Sequence, residues 1–345
     1  PPRAAVLSLI LVALSMAISL RWRIGPAVVL LLLAIGIALR LVTTDGYSDV
    51  LVVTEAAIRE MLGGGNPYGQ GFEQSLPPGA PFAYGPLALL WYLPSLDEPG
   101  YLELLAAFIV LGLLALRGRP LGLAIYAATP ALVVAATDGS NDTTAGLLIL
   151  VSLLVAVRVP VAGAILLAAA TAFKPYALAW LPGLIAYASA VGPLLAFLVM
   201  SALLWLPALL AWGPESLLWS FRRADQVHDR AYYSLAYGLG SPEGIPKAAW
   251  TALRVGVGVL LAVGSFVLVR SATSFVIVGI LVFGATLFLG WWSSFAYIAA
   301  VAPIVCWHID DWLGLESGRV VWLGDPVRAV TEWTDSRWPV RRIGG

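Results

Sequence analysis

A chain of 345 residues with 60 % apolar and only 12 % charged side chains, and a mean hydropathy of +0.88, cannot have water as its main solvent. Its formal net charge is zero, so nothing in the composition argues for nucleic acid as a partner. The single cysteine, Cys306, excludes an intramolecular disulfide framework and a Cys-rich metal site.

Apolar runs follow one another along the chain. The first, Ala4–Leu20, lacks a small-residue cleavage site and leads straight into another run, so it is expected to be a retained helix rather than a signal peptide. Further spans are expected near 24–42, 101–116, 119–136, 144–157, 160–173, 175–189, 191–212, 248–269, 274–290 and 292–309. The runs do not alternate apolar and polar residues as barrel strands would, and in lipid only helices and closed barrels satisfy their backbone. The expected fold is therefore an all-α integral membrane protein with about 11 transmembrane helices. A membrane domain over 1–309 would be followed by a cytoplasmic tail over 310–345.

Charge orients these spans. Arg21 and Arg23, Arg117 and Arg119, Arg158 and Arg270 fall on one side if the Pro-containing segment 84–96 does not cross, and that side is then the cytoplasm. The loops 43–100, 137–143, 213–247 and 290–292 fall outside. Two of them are long, and long loops in a compact membrane domain are where function concentrates. The loop 213–247 is basic despite its outer position, with Arg222, Arg223, Arg230 and Lys247. That fits either a bound anion or lipid headgroups.

In the first long loop, Val50–Leu62 has apolar residues at helical spacing and a charged opposite face, as expected of a helix lying on the membrane surface. Gly63-Gly-Gly-Asn-Pro-Tyr68 ends it. Asp45 and Asp49 stand at the outer membrane boundary. Asp49 fits two roles from its position alone: the cap of helix 50–62, or a carboxylate general base. Lys174 lies between two apolar runs, where an unpaired ammonium is costly, so it is expected either to serve a ligand or to snorkel to the interface. Arg40, one turn before its span ends, allows the same two readings. Asn141 and Asp142 open a span and fit either capping or substrate contact.

The order of motifs resembles the GT-C glycosyltransferases, integral membrane enzymes that take sugar from a polyprenyl-phosphate donor. The motifs are Asp49-Val-Leu-Val-Val-Thr-Glu-Ala-Ala57, Gly65-Asn-Pro-Tyr68, Phe82-Ala-Tyr-Gly-Pro-Leu87, Gly139-Ser-Asn141, Phe173-Lys-Pro-Tyr176, Arg223-Ala-Asp-Gln-Val-His228 before Tyr232 and Tyr233, and Ser293 or Ser294 with Tyr297 and Pro303. The pattern is similar to GPI-type and bacterial phosphatidylinositol-mannoside-type mannosyltransferases. It implies transfer of a sugar, with mannose expected, to a lipid-linked or glycan acceptor on the extracytoplasmic side of a prokaryotic plasma membrane.

The resemblance also implies roles. Asp49, with Asp45 as the alternative, is the base. Arg40, Lys174, Arg222, Arg223 and His228 are the cations for the donor phosphate. Tyr68, Tyr84, Asn141, Asp142, Asp225, Tyr232, Tyr233 and Ser294 contact substrate. No cofactor is certain: relatives carry two aspartates two residues apart, and here Tyr47 occupies the earlier position, so a divalent metal lacks its paired-aspartate motif. The competing reading from a different class is a transporter or lipid flippase, which internal repeats and mid-span charges would favour. No repeat is evident.

Overall fold

The computed structural model describes residues 25–43, 48–227, 231–240 and 245–315. Within these the fold is helical, apart from one two-residue β-ladder. The helices in chain order are α1 (Pro26–Val42), α2 (Val50–Leu62), α3 (Pro86–Tyr92), α4 (Gly100–Arg117), α5 (Pro120–Ala128), α6 (Pro130–Val134), α7 (Asp142–Ala156), α8 (Pro160–Phe173), α9 (Leu181–Ala188), α10 (Val191–Gln226), α11 (Leu235–Gly238), α12 (Lys247–Leu268), α13 (Ala272–Phe288) and α14 (Tyr297–Trp312). Strands β1 (Gly71–Phe72) and β2 (Ala80–Pro81) pair antiparallel in the first long loop.

Three of the described helices, α4, α10 and α12, are long and apolar enough to cross a membrane, and α1, α7, α8 and α13 are shorter apolar helices. On α10 and α12 the apolar residues face outward: Leu203, Leu210, Leu260 and Val267 are each at least 64 % exposed. Such a surface is anomalous in water and ordinary against acyl chains. The chain is an all-α membrane protein.

Proline placement explains most departures from the expected spans. The run 119–136 is two helices, because Pro130 has no N–H to continue α5 and opens α6 at its first position instead. The run 175–189 opens as a 3-10 turn over Pro175–Trp180 before α9. The span expected to stop at Trp212 continues. At Gly213 the backbone turns to φ 76°, Pro214 restarts the helix, and α10 runs on to Gln226 through the first part of what the sequence suggested was loop. Likewise α14 extends past 309 to Trp312, so the tail begins later than expected. The segments 1–24 and 316–345, which hold the first expected span and most of the tail, lie outside the described residues.

The main core gathers α1, α4, α5, α7, α8, α13 and α14 around residues such as Leu111, Ile149, Trp180 and Phe283. A second core lies under α2. Its Leu51, Val53, Ala57 and Ile58 pack on Leu89, Tyr92 and Phe173, so the amphipathic helix lays its apolar face on protein.

The segment 84–96 begins and ends at the same end of the molecule. Gly85 N–H donates to the Phe173 carbonyl at the end of α8 at 3.2 Å. Asp97 pairs with Arg59 of α2 at 2.7 Å, and Glu103 binds the start of α7 through the Thr144 N–H at 3.0 Å. Gly85 is required for the close approach, since a Cβ there would lie 1.9 Å from the Ala172 carbonyl oxygen. At the far end of α4, Arg117 and Arg119 bind Asp311 of α14, the latter at 2.7 Å. The basic turn 117–119 and the loops that form the cavity described next therefore occupy opposite ends.

Candidate active site

A cavity of about 770 Å³ opens at the end that holds residues 48–50 and 138–142. Each of the loops expected on one side contributes to it: Asp49 and Tyr84 from the first, Asp138 and Asp142 from the second, Tyr232 and Tyr233 from the third, and Trp292 from the last. Among the described residues, its charged lining consists of three carboxylates, Asp49, Asp138 and Asp142, and one ammonium, Lys174.

Asp49 stands at the N-cap position of α2 but makes no side-chain cap bond there. The cap contact comes from Ser48, whose Oγ accepts from the Val50 N–H at 3.3 Å. The Asp49 carboxylate instead accepts from the Leu76 N–H through Oδ2 at 2.6 Å and lies on the cavity wall. The loop 138–140 fixes this end of α2: Ser48 N–H donates to the Asp138 carbonyl at 2.7 Å, and Leu51 N–H to the Gly139 carbonyl at 2.8 Å. Gly139 sits at φ 86°, and a Cβ there would lie 2.5 Å from the Ser48 carbonyl oxygen, so the turn needs glycine.

Lys174 caps the end of α8, where Pro175 prevents further helix. Its Nζ donates to Asn141 Oδ1 at 2.6 Å and to Asp142 Oδ1 at 2.7 Å. The rings of Tyr84, Tyr176 and Tyr297 surround it at 5.3, 5.1 and 5.5 Å. Tyr176 also donates its hydroxyl to Asp142 Oδ1 at 2.6 Å. The ammonium is thus ion-paired and flanked by three rings at the cavity wall, so it does not snorkel and already has an anionic partner. This pair is possible because a residue from another helix caps α7. Glu103 of α4 accepts from the Thr144 N–H and hydroxyl and from the Tyr92 hydroxyl. Asn141 and Asp142, placed by sequence where caps belong, are released to hold Lys174.

The remaining expected residues divide. Tyr84, Tyr232, Tyr233 and Ser294 line the cavity. Burial pushes the Tyr84 phenol well above its ordinary range, so it stays neutral. Tyr232 and Tyr233 form an edge-to-face pair at 4.3 Å near the mouth, anchored by the Ser293 N–H donating to the Tyr232 carbonyl at 2.8 Å. Ser294 Oγ accepts from the Ala296 N–H at 3.2 Å just before α14. Arg222 and Arg223 are exposed at the end of α10, beside Ala224 and Val227 of the lining.

Three expected residues lie elsewhere. Tyr68 is buried between Phe82 and Trp212, and its hydroxyl donates to the Tyr84 carbonyl at 3.1 Å, so it supports the wall from behind. Asp225 turns to Lys247 and Arg254, at 3.4 and 3.9 Å, and ties α10 to α12. Arg40 is 1 % exposed and is not part of the cavity lining. Its guanidinium stacks on Tyr126 and donates to the carbonyls of Gly36 at 3.0 Å and Tyr126 at 2.9 Å, filling the break between α5 and α6. Removing it strands carbonyls freed by the break. Arg40→Met is therefore expected to cost roughly 1–3 kcal/mol of stability. The apparent unfolding temperature should fall, and a variant as stable as the wild type would contradict this structural role. Asp45 and His228 lie outside the described residues.

Two site residues carried no clear signal in sequence. Glu103 was visible only as a carboxylate near the start of an apolar run. Asp138 is fully buried on the cavity wall, with Oδ1 accepting from the Ser140 N–H at 2.8 Å. Burial raises its carboxyl to about 6, against the Ser140 bond, which lowers it. Asp142 and Lys174 are the charged groups acting on it, and they oppose each other. A folded-state value above the unfolded one means that stability falls as pH rises toward and through 6. Asp138→Asn is accordingly expected to raise the unfolding temperature at pH 7.5, with the gain shrinking as the pH falls toward 4. An equal gain at both pH values would contradict this.

Among the described residues, no three His, Cys, Asp or Glu side chains gather as a metal site. Comparison of the chain with protein-family models, with curated proteins and with solved structures found no match.

Proposed function

We propose that the chain is a GT-C-like membrane glycosyltransferase. It moves a sugar, with mannose the expected one, from a polyprenyl-phosphate donor to a lipid-linked or glycan acceptor at the extracytoplasmic face of a prokaryotic plasma membrane. The observation that carries the proposal is the cavity itself. Residues from separate motifs of the resemblance converge on one space, and its size is within the range of about 300–1,000 Å³ usual for small-molecule sites.

The reaction is a single displacement. The acceptor oxygen bonds to the anomeric carbon while the bond from that carbon to the phosphate oxygen breaks, and the phosphate leaves with the electron pair. The acceptor proton passes to the Asp49 carboxylate. Configuration inverts, and no covalent enzyme intermediate is needed. The charge distribution supports one arrangement of the donor. Among the described residues, three carboxylates against one already paired ammonium repel phosphate from the interior and suit the neutral hydroxyls of a sugar. The phosphate belongs at the rim, near exposed Arg222 and Arg223.

The test is reconstitution in vesicles with radiolabelled polyprenyl-phosphate-mannose and a lipid extract of the host. Label is expected in a new glycolipid or glycan. Label that crosses the vesicle membrane without transfer would replace the proposal with the transporter reading. Sidedness is checked in cells by a cysteine at exposed Gln74 in a Cys306→Ala background. An impermeant thiol reagent is expected to label it from outside.

A further inference from the structure

We infer that Asp138 is a sugar-recognition residue, a fixed acceptor for one hydroxyl of the sugar held beside Asp49. The inference rests on the proposed transfer reaction and adds a specificity contact to it.

Asp138 is 0 % exposed, yet only one of its oxygens is used. Oδ1 accepts from the Ser140 N–H, while Oδ2 is buried without a partner among the described residues. Two neighbouring donors are committed elsewhere, while Asn141 Nδ2 on the same loop is, like Asp138 Oδ2, buried without a partner among the described residues. The Lys174 ammonium belongs to Asn141 and Asp142, and the Ser140 hydroxyl donates to the Ala135 carbonyl at 3.2 Å. A carboxylate oxygen withdrawn from water without a hydrogen bond is costly, and such groups are rare in folded proteins. Asp138 is a lining residue of the cavity, and Oδ2, covered as the structure stands, would meet the donor of a bound molecule once the wall adjusts to it.

Chemistry narrows that molecule. A carboxylate oxygen accepts and does not donate, so the partner must bring an O–H or N–H. Phosphate is disfavoured by charge, and a sugar hydroxyl fits. Geometry then makes the contact selective. The Asp138 carbonyl holds the Ser48 N–H, and the next carbonyl, that of Gly139, holds the Leu51 N–H, so the residues on both sides of Asp49 are tied to the Asp138 loop. Base and acceptor keep a fixed separation. A sugar that presents its reacting atoms to Asp49 therefore presents one particular hydroxyl to Asp138, and a sugar lacking it leaves the oxygen unpaired.

Full-length reconstituted protein is assayed with polyprenyl-phosphate-mannose and its monodeoxy analogues as donors, and separately with octyl mannoside and its monodeoxy analogues as acceptors. Wild type is expected to lose roughly 10- to 100-fold in kcat/KM on one analogue. Asp138→Asn, which keeps an oxygen for the Ser140 N–H, is expected to lose a similar factor on the parent substrates and almost nothing further on that analogue. The series in which this occurs shows whether the hydroxyl belongs to the transferred sugar or to the acceptor. Equal losses on all analogues, or an Asp138→Asn enzyme with full activity and unchanged selectivity, would overturn the inference. If wild type makes no product, the transfer reading fails. Equilibrium binding of the same analogues then decides Asp138: one analogue weakened only in wild type supports the subsite, and uniform affinities reject it.

Discussion

Asp49→Asn is expected to reduce the turnover number by roughly 10²- to 10⁴-fold, the usual contribution of a positioned general base, with donor affinity little changed. The substitution is conservative for the fold. The Asp49 side chain makes no cap bond to α2, and its bond to the Leu76 N–H survives on an amide oxygen. What is lost is a proton acceptor at the cavity wall, so the effect belongs in kcat rather than in donor binding. Initial rates across donor concentrations, with a thermal-stability control, separate these terms. Full activity in a folded Asp49→Asn enzyme would remove Asp49 as the base.

The second large effect is on stability. Lys174→Ala is expected to cost about 3–5 kcal/mol, because it leaves Asp142 charged, buried and deprived of its ion-pair partner. The side chains of this pair are 6 % and 2 % exposed, so solvent cannot replace the lost contact. The Asp142→Asn, Lys174→Met double variant removes both charges and keeps an oxygen for the Tyr176 hydroxyl. It is expected to regain more than half of the loss, and the cycle of four unfolding temperatures measures the coupling. A Lys174→Ala protein of normal stability but weak donor binding would contradict the structure and restore Lys174 as a phosphate ligand.

Much of the architecture was legible because lipid imposes a simple rule. Runs of apolar residues become helices, and proline sets their starts: Pro26, Pro120 and Pro160 all fall at the first helical positions. The same rule misled at Gly213-Pro214, where the span expected over 191–212 instead continues, Pro214 restarting the helix after one left-handed glycine. The long α10 is held there by tertiary contacts that no local pattern reveals. Asn66 donates to Ser216, and the Gly69 N–H donates to Ser220.

At the site, residue types were more legible than partnerships. Lys174 stood out as a charge in an apolar stretch, but its partner and its cage of tyrosines come from four different segments. Asn141 and Asp142 looked like caps because the capping residue, Glu103, lies about forty positions earlier on another helix. Arg40 resembled a boundary cation because the carbonyls it fills are exposed only by a break in a different helix. Asp138 had no signal beyond being polar, since its importance lies in an oxygen left unpaired by folding.

The most direct measurement for the account as a whole is an experimental structure with a non-hydrolysable polyprenyl-phosphate-mannose analogue bound. The account predicts the sugar inside the cavity, between Asp49 and the 138–142 loop, the phosphate at the rim near Arg222 and Arg223, and Lys174 still bound to Asp142. A phosphate seated on Lys174, or a donor bound away from Asp49, would contradict it.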